Sequence, residues 1–333
     1  GLGVSLGKVA MPAFAARTPT QLPRSSGAHF ADQIVLESYQ LSRIGVDGKE
    51  RVLDQSADVS AVVAPGEHLR VQMVWRATRD IEDDLAVFNH LLDFRQKLVA
   101  QDDEWPRRGL SPTSLWLPGQ TIGDEYRILI PRDAAMGHYD LNVGFYRRSD
   151  FRRLPLTNGE PGPDRLSLGT VKVAPAWAID GEPVPVQNVV STDFGGIATL
   201  LGYDDNTLDQ IGTPRKNLSA SVGGQLDLTL YWRARERPAQ DYTVFIHAID
   251  ANGTLVAQAD GQPGSGGYPT SIWDSGEVVT DRHVLTLPPG LPAGTYQLAV
   301  GLYLLETGER LRIASGQDRA LLDEFTVTNA PGP

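Results

Sequence analysis

The chain has 333 residues, which at ~100–200 residues per domain points to two or three domains. Its 41% hydrophobic and 21% charged residues exclude a wholly disordered chain, and no apolar run reaches the ~18 residues of a membrane span. Cysteine is absent, which excludes disulfides, thiolate metal sites and a cysteine nucleophile, and a net charge of −11 argues against nucleic acid as the main partner.

Residues 1–28 read as an N-terminal arm. Leu2, Val4 and Leu6 alternate with Gly and Ser, a strand period, so the arm is expected to add to a sheet edge of its own domain or of a neighbouring subunit. A first domain is expected over 29–175, a Pro-rich linker with Pro183 and Pro185 over 176–190, and a second domain over 191–330. Residues 181–333 hold 9 Lys+Arg and 18 Asp+Glu, a net of −9, against 21 and 23, a net of −2, for residues 1–180.

An internal duplication organises the chain. Trp75-Arg76-Ala77 recurs as Trp232-Arg233-Ala234, an offset of 157. The same offset carries Phe88 and His90 to Phe245 and His247, and Pro112-Thr113-Ser114 to Pro269-Thr270-Ser271. It carries Trp116 to Trp273 and Tyr146 to Tyr303, with no gap between 75 and 146. Upstream the register slips, and Phe30 and Tyr39 pair with Phe194 and Tyr203. A period this long means two whole domains rather than short solenoid units.

Each repeat reads as a β-sandwich. Leu226, Leu228, Leu230 and Trp232 alternate with polar residues. A second strand over 242–249 leads through Asp250-Ala251-Asn252-Gly253, a hairpin signal, into a third over 254–259. Further strands are expected at 197–203, 217–222, 281–287, 295–304, 310–314 and 322–328. Gly294-Thr295-Tyr296, mirrored by Gly137-His138-Tyr139, has the pattern of a tyrosine corner. The fold class is all-β: two tandem Greek-key sandwiches, immunoglobulin-like or jelly-roll-like.

The second repeat also carries Leu200-Leu-Gly-Tyr203, Leu230-Tyr-Trp-Arg-Ala234, Asp241-Tyr-Thr-Val-Phe-Ile-His247, Val256-Ala-Gln258, Gly294-Thr-Tyr296 and Val300-Gly-Leu-Tyr303. In these motifs it resembles an extracytoplasmic, C-terminal β-sandwich domain of bacterial protein-mannosyltransferase-like membrane glycosyltransferases and related cell-envelope proteins. The resemblance covers most of 194–328 and, more loosely, 30–173. The first repeat departs from it at Asn142, Phe145 and 147–165. The catalytic carboxylates of such enzymes lie in their membrane part, and no residue here matches them. The resemblance therefore implies an accessory or surface module.

Candidate chemistry is sparse. His90 and His247 each have an Asp three residues on, a pairing that can orient a general base, or each is a half-buried strand histidine satisfied by a neighbour. No nucleophile stands in a recognisable context and no histidine spacing fits a metal site, so no catalytic residue, metal or cofactor is assigned. Asp102-Asp103-Glu104 with Asp260 admits a carboxylate-pair reading, which the recurrence of Asp103 as Asp260 disfavours. Asp250, Asn252 and Asp260 admit Ca²⁺, although a turn explains their order. Trp116 and Trp273 are candidate sugar-stacking residues, or caps that close one end of the sandwich. Trp105, found only in the first repeat, is the better surface candidate. Arg107 and Arg108 stand beside it and, with Arg147, Arg148, Arg152 and Arg153, make the one basic concentration; if the two loops meet, they form an anion or partner site for an acidic face of the second domain or of a neighbour, and otherwise they are solvated charge.

The leading expectation is a non-enzymatic, extracytoplasmic structural or assembly module of the cell envelope, with other protein subunits or its own second domain as partner. The alternatives are a carbohydrate-binding accessory region of a membrane glycosyltransferase and a hydrolase with an interdomain site.

Overall fold

The computed structural model describes residues 21–53, 61–157, 162–179, 183–207 and 218–329. The chain divides into two compact units, unit 1 built around residues 21–134 and 138–176 and unit 2 around 177–329.

Unit 1 contains β1 (Arg24–Phe30), β2 (Ile34–Ile44), β3 (Glu50–Val52), β4 (Ala61–Val63), β5 (His68–Ala77), β6 (Leu85–Leu92), β7 (Leu98–Gln101), β8 (Thr121–Leu129), β9 (Gly137–Arg147) and β10 (Leu166–Val173). One sheet runs β1-β2-β5-β8, with β3 added to β2. The other runs β4-β10-β9-β6-β7, with β4 parallel to β10.

After the one-turn helix α1 (Ala176–Ile179), unit 2 repeats the plan. Its strands are β11 (Asn188–Phe194), β12 (Ala198–Asp205), β13 (Ser219–Ser221), β14 (Gln225–Ala234), β15 (Tyr242–Ile249), β16 (Leu255–Gly261), β17 (Val278–Thr286), β18 (Gly294–Leu304) and β19 (Ala320–Thr328). The sheets run β11-β12-β14-β17 and β13-β19-β18-β15-β16, again with one parallel edge pair, β13 with β19.

Strand alternation builds the core. Leu226, Leu228, Leu230 and Trp232 of β14 face Val244, Ile246 and Ala248 of β15 and Leu298, Val300 and Leu302 of β18 in one buried cluster, with both sheets contributing. Trp75 and Trp232 are fully buried at equivalent positions. Phe30 meets Trp75 edge-on at 5.9 Å, and Phe194 meets Trp232 likewise at 5.5 Å, so the slipped upstream register preserves the same contact. The Tyr296 hydroxyl donates to the Pro292 carbonyl at 2.9 Å, which closes a tyrosine corner.

Two boundaries differ from expectation. The strand that opens unit 1 starts at Arg24, inside the stretch assigned to the arm; Leu2 to Phe14 lie outside the described residues. The segment 310–314 makes a single bridge, Tyr303 to Arg310, instead of a strand, because its chain is consumed in a turn.

Candidate functional site: two turns of unit 1

The residues common to both repeats hold turns in place. Thr113 Oγ1 donates to the Asp83 carbonyl (2.6 Å) and accepts from the Leu85 N–H (2.8 Å); Thr270 does the same with Gln240 (2.7 Å) and Tyr242 (2.9 Å). Behind each threonine sits a tryptophan. Trp116 Nε1 donates to the Ser111 carbonyl at 3.0 Å and Trp273 Nε1 to the Tyr268 carbonyl at 3.1 Å, and both rings are buried. This corrects the sugar-stacking assignment of Trp116 and Trp273. Their faces are covered by core atoms, so they are caps of the sandwich.

The histidines also have structural partners, but not the expected ones. His90 Nε2 lies 3.1 Å from Asp103 Oδ2 across the β6–β7 ladder, and His247 Nε2 lies 3.7 Å from Asp260 Oδ1 across β15–β16. Asp93 and Asp250 instead close hairpins. Asp93 Oδ1 accepts the N–H groups of Arg95 and Lys97, and Asp250 Oδ1 those of Asn252 and Thr254. The Ca²⁺ grouping is not assembled either, since Asp260 stands opposite Phe245, five positions down β15 from Asp250. Burial lowers the His247 pKa against the opposing pull of Asp260.

The first turn of interest follows β7. In Trp105-Pro106-Arg107-Arg108-Gly109-Leu110, Arg107 and Arg108 both take left-handed backbone, φ +53° and +56°. The equivalent Gln262-Pro263-Gly264-Ser265-Gly266-Gly267 has the same shape, with φ +61° and +56° at Gly264 and Ser265. A buried aspartate anchors each turn. Asp124 Oδ1 accepts the Arg107 N–H at 2.9 Å, and Asp281 Oδ1 the Gly264 N–H at 3.1 Å. Asp124 Oδ2 also accepts from the Tyr126 hydroxyl at 2.5 Å, and Asp281 Oδ2 lies 2.6 Å from His283 Nε2. Burial raises the Asp124 pKa despite these bonds.

The second turn follows β9. Arg147 donates its N–H to the Arg152 carbonyl, and Phe151 its N–H to the Arg147 carbonyl. Leu304, Glu309 and Gly308 repeat the pattern at the same lengths, 2.9 and 2.8 Å. Where unit 2 has Gly308 at φ +72°, unit 1 has Phe151 at φ +57°, 75% exposed and stacked 6.1 Å from Tyr146.

Arg148 joins the two turns. Its guanidinium lies 4.3 Å from the Trp105 ring centroid and 3.3 Å from Glu104 Oε1. Trp105 remains 37% exposed and Leu110 71%. The other arginines do not form a bare basic patch. Arg108 makes a bidentate pair with Asp102 (2.8 and 2.6 Å), Arg147 bonds Asp83 and Asp150 (2.5 and 3.1 Å), and Arg153 lies 3.6 Å from Asp164. Arg152 is exposed and gives its backbone N–H to Asp150. The Arg107 side chain has no hydrogen bond or ion pair among the described residues.

Arg153 has a different task. It caps the Phe88 ring at 4.4 Å, as Arg310 caps Phe245 at 4.5 Å. The other face of each ring lies on a glycine, Gly144 or Gly301, where a Cβ would overlap the ring. Arg153 is thus part of the shared scaffold. Phe151 and Leu110, on the same two turns, escaped the sequence reading, and Glu104, read there only as one of a carboxylate run, belongs with Trp105 and Arg148. The 157-residue offset held the signal, because it sets Phe151 against Gly308, Leu110 against Gly267 and Glu104 against Gly261.

No family model matches this chain, and no curated protein matches it. Among solved structures it is similar to the C-terminal domain of Wzt (15% identity, TM-score 0.31, covering 42% of this chain and 78% of that one). It is also similar to the C-terminal domain of the Streptococcus pyogenes antigen I/II-family protein AspA (9% identity, TM-score 0.24, covering 87% and 98%). A family 123 glycoside hydrolase from Clostridium perfringens matches 35% of this chain and 23% of its own, at 14% identity and TM-score 0.24. None of the three reaches a TM-score of 0.5, and the sandwich assignment rests on the sheets themselves. Among the described residues no helix is long and apolar enough to cross a membrane.

Proposed function

We propose that this chain is a non-catalytic, extracytoplasmic structural and assembly module of the cell envelope. Two like sandwiches supply the frame, and the paired turns of unit 1 make its contacts. One observation carries this reading. The two repeats share the backbone of both turns, yet unit 1 fills them with Trp105, Arg107, Leu110, Arg148 and Phe151 where unit 2 has Gln262, Gly264, Gly267, Leu305 and Gly308. Side chains that the fold does not need, two of them at left-handed positions that favour glycine, are held for something outside the fold. His90 with Asp103 and Asp93 support the non-catalytic part, because they recur as His247 with Asp260 and Asp250 in the same structural roles. The envelope location is supported by the motifs of the second repeat.

The test is a photo-cross-linking residue placed at Trp105 or at Gln262 of the full chain in its own envelope. Adducts are expected at 105 and not at 262. Equal labelling, or none at 105, would overturn the reading. A second reading, a carbohydrate-binding accessory region of a membrane glycosyltransferase, is favoured by the open indole of Trp105.

A further inference from the structure

We infer that the Trp105 turn binds a saccharide bearing a carboxylate, with a pyranose ring on the indole and the carboxylate in the fork of Arg107. This rests on the paired turns being a contact surface, and adds the ligand class. The indole is backed by the Arg148 guanidinium at 4.3 Å and still 37% exposed, a rigid ring with one side fixed and surface left open. The C–H face of a pyranose is apolar and packs on such a ring. Beside it, Glu104 is held by its Oε1, which accepts from the Trp105 N–H at 2.8 Å and from Arg148 Nη2 at 3.3 Å. Its Oε2 has no partner among the described residues and is an acceptor ready for a sugar hydroxyl.

Two residues along the turn, Arg107 is pinned by its N–H to buried Asp124 and carries a guanidinium with no partner among the described residues. A planar fork of this kind suits a carboxylate. The surrounding charges limit the ligand. Arg108, Arg147 and Arg153 are already matched by Asp102, Asp83, Asp150 and Asp164, which leaves Arg107 in the Trp105 turn and Arg152 in the turn after β9; the Trp105 turn by itself has cation to spare for one carboxylate and not for a polyphosphate. Unit 2 is the internal control. It has Gln262 for Trp105, Gly264 for Arg107, Gly261 for Glu104 and Leu305 for Arg148, and so lacks ring, fork, acceptor and backing together.

The experiment is titration calorimetry of the full chain with oligomers of galacturonate and mannuronate, their methyl esters, and tripolyphosphate. A uronate oligomer is expected to bind at least tenfold more tightly than its ester and than tripolyphosphate. Trp105→Ala should weaken acid and ester alike by tenfold or more, and Arg107→Gly should bring the acid down to the ester. Both variants are checked for a cooperative melting transition no lower than that of the wild type. The inference is overturned if the wild type binds no uronate, if tripolyphosphate binds as well, or if Arg107→Gly leaves the acid-to-ester ratio unchanged. If uronates fail while cross-linking at 105 persists, the ligand class is wrong and the contact surface stands; if both fail, both readings fall.

Discussion

A bulky residue in left-handed backbone costs roughly 1–2 kcal/mol relative to glycine, whose freedom in the unfolded chain returns part of that. Phe151 and Arg107 occupy such positions, and their counterparts Gly308 and Gly264 show what the turn prefers. Arg107→Gly and Phe151→Gly should therefore leave the fold intact and raise its unfolding free energy by about 0.5–1 kcal/mol. Denaturant melts check this, and a loss of stability would mean that the side chains serve the fold. The core tryptophans behave oppositely. Trp75→Ala or Trp232→Ala should cost about 3–5 kcal/mol, since each empties a fully buried site. His247 adds a pH dependence. Burial lowers its pKa below the ordinary histidine value of about 6.5, so the unfolded chain takes up the proton first. Its contribution is complete above that value and is lost as pH falls through it toward the folded pKa. Stability measured between pH 7.5 and 5 should decline less steeply in His247→Leu than in the wild type; an identical slope would contradict the assignment.

At the scale of elements, the duplicated motifs are read as mechanical parts. Pro-Thr-Ser followed by Trp is a strut in which the threonine hydroxyl bonds backbone on both sides. Val-Gly-x-Tyr leaves room for a ring laid flat on β9 or β18. Gly144→Ala or Gly301→Ala should drive that ring off its strand at a cost of about 1–3 kcal/mol, and Phe88→Leu should rescue Gly144→Ala in part. Strands with period-two alternation, such as 226–233, were legible from sequence because one face is buried. Segment 310–314 looked like a strand because Leu311 and Ile313 alternate there, yet its backbone closes a turn with β18 and Ile313 bonds Gln317. The partners of His90 and His247 were illegible because they lie across a hairpin, where sequence distance says little about contact.

For the whole molecule, the duplication was the most legible feature, because identical packing demands recur at one offset. The same comparison separates scaffold from site. What both units keep, such as Trp116 and Trp273, is scaffold, and what unit 1 alone has at shared backbone positions is the proposed site. The six arginines read in sequence as one basic concentration, yet four of them are paired with carboxylates, two across long sequence distances, Arg147 with Asp83 and Arg148 with Glu104. The measurement that tests this separation most directly is a graft of the unit 2 turn 262–267 onto 105–110: Trp105→Gln, Arg107→Gly, Arg108→Ser and Leu110→Gly in one chain. Equilibrium unfolding should show a variant at least as stable as the wild type, with the cross-linked adducts at the graft lost when the probe is moved to Gly109. A graft that destabilises the protein by more than about 1 kcal/mol would show those side chains to be part of the fold, and would contradict the account.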